Sequence, residues 1–116
     1  MAFSNIFKEV VRKSKQFAES MGKQSVGTEH MLYGIIAEKT SQASKILDNV
    51  GVTIDKYESV MKSYLNKQSL SLEGSIDFSK TVNAIFVKIS DFYEKNASKQ
   101  QDVELLLLLL VQNEYY

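Results

Sequence analysis

Proline occurs nowhere in the 116 residues, while apolar side chains recur at helical spacing in several separate stretches. No residue therefore breaks a helix from within, and the period is that of helices burying one face. Phe3, Phe7, Val10, Phe17 and Met21 mark the first stretch, with Ser4 placed to cap it and Gly22 to stop it, which predicts a helix over about residues 4–21. Thr28 opens a second helix through Glu38. Ser41 to Asn49 make a short third one, stopped by Gly51, and Thr53 caps a fourth carrying Ile54, Tyr57, Val60, Met61, Tyr64 and Leu65. Residues 66–77 are Ser-rich and lack the period. They read as a connector with a short extended piece near Leu70 to Leu72. The period restarts over about 79–96 and again over 101–113, where the last helix is apolar on most sides and calls for a central place or a covering element.

The two ends of the chain resemble each other. At an offset of 75, Phe3, Ser4, Lys13, Phe17, Glu19, Glu29 and Leu32 meet Phe78, Ser79, Lys88, Phe92, Glu94, Glu104 and Leu107. Apolar character is also kept where Phe7 meets Val82, Val10 meets Ile85, Met31 meets Leu106 and Ile36 meets Val111. The expectation is a single all-α domain over 1–116, a helical bundle of two pseudo-repeats with about six helices. Repeat one covers 3–65, the connector 66–77, and a truncated or shortened repeat two 78–116.

Composition removes several function classes. Fourteen basic residues balance fourteen acidic ones, and Arg12 is the only arginine. A nucleic-acid binder needs a basic face, and base readout leans on arginine, so no nucleic-acid partner is expected. There is no cysteine, and His30 is the only histidine. Thiolate chemistry and His- or Cys-built metal sites are excluded, and a Ser-His-Asp triad is disfavoured. His30 is read as a helix-start side chain bonding a neighbouring turn or packing between helices. The apolar run Leu105 to Val111 is far short of the roughly 20 residues of a membrane span. The start of the chain lacks a signal-peptide pattern, so the expectation is a cytoplasmic protein without a membrane partner.

The string Ser25-Val26-Gly27-Thr28-Glu29-His30-Met31-Leu32-Tyr33-Gly34-Ile35-Ile36 is followed by Ala43-Ser44-Lys45-Ile46-Leu47 and Asn49-Val50-Gly51-Val52. In this order the residues resemble the N-terminal repeat domain of the Clp ATPases, most closely its ClpC branch. The resemblance is close over 3–65 and looser over 78–111. It implies a docking platform that recruits adaptor proteins and protein substrates to the ATPase ring. Repeat two departs from the pattern, with Asp102-Val103-Glu104-Leu105 where the family repeats Gly-Thr-Glu-His. Adding the offset to residues 41–65 calls for two further helices after Tyr116, so the chain is expected to be a fragment or a shortened relative. No GxxxxGK[ST] phosphate loop occurs, so no ATPase activity and no cofactor are expected of this chain. The alternative is a free-standing helical regulator, less readily a DNA-binding one, that shares the repeat.

Four residues are candidates for a binding site. Ser4 and Ser79 head matching helices, and Glu29 and Glu104 stand in the first turns of two others. As plain structure they are two caps and two carboxylates favoured by a helix dipole. A helix start with a nearby carboxylate also complements a phosphorylated guanidinium. The resemblance implies such a phosphoarginine site in each repeat, carried over as Ser4 with Glu29 and Ser79 with Glu104. Asp77, close to Ser79, is expected to compete as a cap and crowd the second site.

Overall fold

The computed structural model describes residues 3–64, 77–95 and 101–112. Six helices lie in these segments: α1 (Asn5–Ser20), α2 (Thr28–Ala37), α3 (Gln42–Asn49), α4 (Ile54–Tyr64), α5 (Lys80–Lys95) and α6 (Asp102–Gln112). Each falls within a residue or two of its sequence expectation. The extended piece expected near Leu70 lies outside the described residues.

Local chemistry accounts for the helix ends. The Ser4 hydroxyl accepts from the Phe7 amide at 3.1 Å, and the Ser41 hydroxyl accepts from the Ser44 amide at 3.0 Å. Gly22 (φ 70°) and Gly51 (φ 88°) take the left-handed conformation just past α1 and α3. Behind them Lys23 N–H donates to the Ala18 carbonyl at 3.0 Å, and Val52 N–H donates to the Leu47 carbonyl at 2.8 Å. Both are the six-to-one closure that a glycine in that conformation permits.

The sequence reading missed one element. Ser25–Val26 (β1) and Asp77–Phe78 (β2) pair in parallel, with Ser25 opposite Asp77 and Val26 opposite Phe78. Two residues are too few to show an alternating pattern. Because the pair is parallel, α2 and α5 leave the same end of it side by side.

The core is built from matching positions of the two repeats. Val10 and Ile85, Met31 and Leu106, and Ile35 and Leu110 are all buried, and so are Phe7 and Val82. α6 packs against α1, α2, α3 and α5, which gives the apolar helix the central place expected of it. It also keeps a bare side, since Leu108 and Val111 are exposed. In repeat one the corresponding side is covered. The Ser44 hydroxyl of α3 donates to the Ile36 carbonyl at 2.9 Å, and α4 reaches α2 through Tyr57 and Glu58.

Gly34 sets the spacing of α1 and α2. A Cβ there would fall on the Ser14 hydroxyl and on the Val10 backbone oxygen. Ser14 is fully buried, with its hydroxyl donating back to the Val10 carbonyl at 2.7 Å. The offset of 75 puts Leu109 and Ile89 at these positions in repeat two. The two repeats therefore share a register but not a helix spacing motif.

Candidate functional site

The pairing of β1 with β2 decides which helix starts are neighbours. Ser79 follows β2 directly, and its amide donates to the Val26 carbonyl at 2.9 Å. This places Ser79 beside Gly27, at the start of α2. The Ser79 hydroxyl accepts from the Val82 amide at 3.2 Å, so Ser79 itself caps α5. Asp77 lies in the strand opposite Ser25 and does not act as the cap. The crowding expected from Asp77 at that cap is not what the structure has.

The same relation holds at the other end with the repeats exchanged. Ser4, at the start of α1, lies against Asp102, the first residue of α6. The Ser4 amide donates to Asp102 Oδ2 at 2.7 Å, and the Ser4 hydroxyl donates to Asp102 Oδ1 at 2.7 Å. Asp102 is 3% exposed. A buried carboxylate is tolerable here because both oxygens receive hydrogen bonds and two helix N-termini point their partial positive charge at it. At the offset of 75, Asp102 occupies in repeat two the position that Gly27 holds in repeat one.

The helix starts therefore meet across the repeats, not within them. Ser79 shares its end of the molecule with the first turn of α2, which carries Glu29. Ser4 shares its end with the first turn of α6, which carries Glu104. The within-repeat pairs, Ser4 with Glu29 and Ser79 with Glu104, give way to this crossed arrangement. The physical reason is the parallel strand pair, which sets the start of the second helix of repeat one beside the start of the first helix of repeat two.

Glu29 has a distinctive setting. Its side chain is half exposed, and a Cβ on Gly27 would fall on its carboxylate, which folds back over the glycine. Its backbone carbonyl accepts from the Tyr57 hydroxyl of α4 at 2.7 Å. The neighbouring His30 is 3% exposed. His30 Nδ1 accepts from the Gly27 amide at 2.8 Å, so the Nε2 atom bears the ring proton. Among the described residues that Nε2 has no partner, and the ring stands edge-on to Phe17 at 5.8 Å. Burial pushes the His30 imidazole below its ordinary pKa, against a smaller opposite pull from Glu29. His30 thus closes the first turn of α2 and fills the α1–α2 seam, as expected. Among the described residues no group of three His, Asp or Glu side chains is arranged to hold a metal ion, and no helix is long and apolar enough to cross a membrane.

A separate concavity of about 550 Å³ lies at the far end of α2, lined by Ile36, Lys39, Lys45, Asp48, Val52 and Asp55. Its charges are mixed, and it touches none of the four candidate residues.

Comparison with known proteins agrees with this architecture. The family model for the Clp repeat (R) N-terminal domain matches residues 2–115. The chaperone protein ClpB of Oceanobacillus iheyensis is 43% identical over 49 residues, which is 42% of this chain and 6% of that protein. The negative regulator of genetic competence ClpC/MecB of Bacillus subtilis is 41% identical over 49 residues, again 42% of this chain and 6% of that protein. The chain thus corresponds to a small part of the relatives it matches. Among solved structures, the N-terminal domain of the Arabidopsis thaliana chaperone ClpD aligns with a TM-score of 0.67 at 25% identity, covering 95% of this chain and 75% of that one. By family match and by fold, the chain belongs to the Clp repeat N-terminal domain family.

Proposed function

We propose that this domain is a non-catalytic docking module that receives adaptor proteins and marked substrates for a Clp-type AAA+ unfoldase. The mark it reads at the helix starts is a phosphorylated arginine. In this reading the Ser79 hydroxyl and the first amides of α5 hold the phosphate, and Glu29 takes the guanidinium. Ser4 and Glu104 hold the corresponding positions at the start of α1, where the Ser4 amide and hydroxyl already donate to Asp102. The observation that carries the reading is the crossed placement of helix starts. It brings Ser79 against Val26, three residues before the half-exposed Glu29, and this supports the reading because a phosphoguanidinium calls for an anion-accepting helix start and a nearby carboxylate. The shared family supports the docking role, since these domains stand at the N-terminus of Clp ATPases.

Calorimetric titration with phosphoarginine, with arginine and inorganic phosphate as controls, tests the reading. Saturable binding of phosphoarginine alone is expected. Glu29→Ala removes one charge-assisted contact and is expected to weaken binding about tenfold or more with helix content unchanged. Equal affinity of the variant and the parent would return Glu29 to a helix-dipole role.

A further inference from the structure

We propose that Asp102 is a built-in anion that closes the start of α1, so that the domain holds one phosphorylated guanidinium, at the start of α5, rather than one in each repeat. The inference rests on the phosphoarginine reading above and specifies its stoichiometry and which end is used.

The two groups with which Ser4 would meet a phosphate are its amide and its hydroxyl. Both donate to Asp102, at 2.7 Å each, one to each carboxylate oxygen. The carboxylate is buried at 3% exposure and is carried on the first residue of α6, inside the packed bundle. An incoming phosphate would have to displace a tethered anion whose effective concentration a dilute ligand cannot match. It would then leave that carboxylate buried, unpaired and next to a second negative charge. The seat is one that a helix start offers to anions, and the chain fills it with its own.

The equivalent place beside Ser79 lacks this carboxylate. Gly27 stands where Asp102 stands at the other end, and it has no side chain to offer. Among the described residues no carboxylate bonds Ser79, whose amide instead meets the Val26 carbonyl. The atoms nearest to where a side chain at position 27 would begin are those of the Glu29 carboxylate, the group assigned to the guanidinium. One position in each repeat thus sets whether the neighbouring helix start is open. Glycine leaves it open, and aspartate closes it.

Reciprocal exchange tests this, with phosphoarginine as probe and stoichiometry read by calorimetry. The parent chain is expected to bind one equivalent. Asp102→Gly, shown folded by circular dichroism, is expected to bind two. Gly27→Asp is expected to lose the single site, with affinity falling about tenfold or more. Two equivalents on the parent chain overturn the inference and leave the phosphoarginine reading standing. A folded Asp102→Gly that still binds only one equivalent also overturns it. Should Asp102→Gly lose its helix content, Gly27→Asp decides, and undiminished binding there counts against the proposal. No binding by the parent or by either variant brings down the phosphoarginine reading itself, and this inference with it.

Discussion

Phe17 and Phe92 hold the same position in the two repeats, yet Phe17 is 7% exposed and Phe92 is 46% exposed. Phe17 stacks on Tyr33 with ring centroids 3.8 Å apart and planes 7° from parallel, under cover that α4 extends through Tyr57 and Glu58. Burial and a hydrogen bond to Glu58 push the Tyr33 hydroxyl up to about 12. The neighbours repeat the contrast: Ile36 is 3% exposed and its counterpart Val111 is 69% exposed. Among the described residues, the α5–α6 face has no counterpart to the α3–α4 cover.

That difference predicts unequal costs for equal substitutions. Phe17→Ala is expected to lower the unfolding free energy by about 3–5 kcal/mol, the range for a buried phenylalanine. Phe92→Ala is expected to cost about 1 kcal/mol or less, because half the ring is already in water. Urea unfolding followed by circular dichroism measures both. Equal losses would mean that the two aromatic faces are equally covered in solution.

Gly34 predicts an overpacking defect. Alanine in a helix interior is ordinarily favoured over glycine by about 1 kcal/mol. Here its methyl group would fall on a backbone oxygen of α1 as well as on the Ser14 hydroxyl, and forcing extra volume into a packed seam costs about 1–3 kcal/mol. Gly34→Ala is therefore expected to lower the urea midpoint in spite of its propensity. Adding Ser14→Ala is not expected to restore it, since the Val10 carbonyl remains. Full rescue by Ser14→Ala would show that the hydroxyl alone sets the helix spacing.

Glu38, at the end of α2, ties that helix to α1. Lys13 Nζ donates to Glu38 Oε1 at 2.8 Å and to the Ala37 carbonyl at 3.3 Å, and the Thr40 hydroxyl bonds the other carboxylate oxygen. The Lys13 bond first, and the Thr40 bond second, hold the Glu38 carboxyl below its ordinary value of 4.5. A carboxyl depressed in the fold stabilises it above the unfolded value, and that contribution fades as pH falls through the lower, folded value. The parent is expected to lose stability on acidification below about pH 4.5, and Lys13→Met to lose less over the same interval. Parallel urea-midpoint curves for the two proteins would remove Lys13 from the account.

Most of the helical frame is legible in the sequence because its signals are local. Ser4, Ser41, Gly22 and Gly51 act within a turn of where they stand, and the apolar period reports a buried face directly. The offset of 75 anticipates the paired core positions Val10 with Ile85 and Met31 with Leu106. The site is only half legible, because its geometry depends on which helix starts adjoin. A two-residue parallel pair settles that, and two residues carry no period. The within-repeat reading of Ser4 with Glu29 follows from treating each repeat as closed. The bonds from Ser4 to Asp102 and from Ser79 to Val26 show that the ends exchange. Asp102 was visible as a departure from Gly-Thr-Glu-His, but its role emerges only when Ser4 lies beside it.

His30 supplies a second pH dependence, at higher pH than that of Glu38. Its ring is buried and held neutral, with Nδ1 accepting from Gly27 N–H and Nε2 facing an apolar seam. Desolvation lowers its pKa below the ordinary 6.5, Lys23 lowers it further, and Glu29 pulls the other way. In the unfolded chain the imidazole protonates near its ordinary value, so between the two values the unfolded state binds more protons. Stability is then present in full above about pH 6.5 and is lost as pH falls toward the folded value, by up to about 1.4 kcal/mol per pH unit for one proton. The offset of 75 suggests the control, since repeat two carries Leu105 at this position. His30→Leu forfeits the bond from the Gly27 amide and is expected to be less stable at neutral pH. It is also expected to lose the slope between about pH 7.5 and about pH 5.5, where no carboxylate of ordinary pKa titrates. Urea unfolding of both proteins across that interval measures the slopes. If the variant keeps the parent's pH dependence, another group is responsible and His30 is protonated as readily in the fold as out of it.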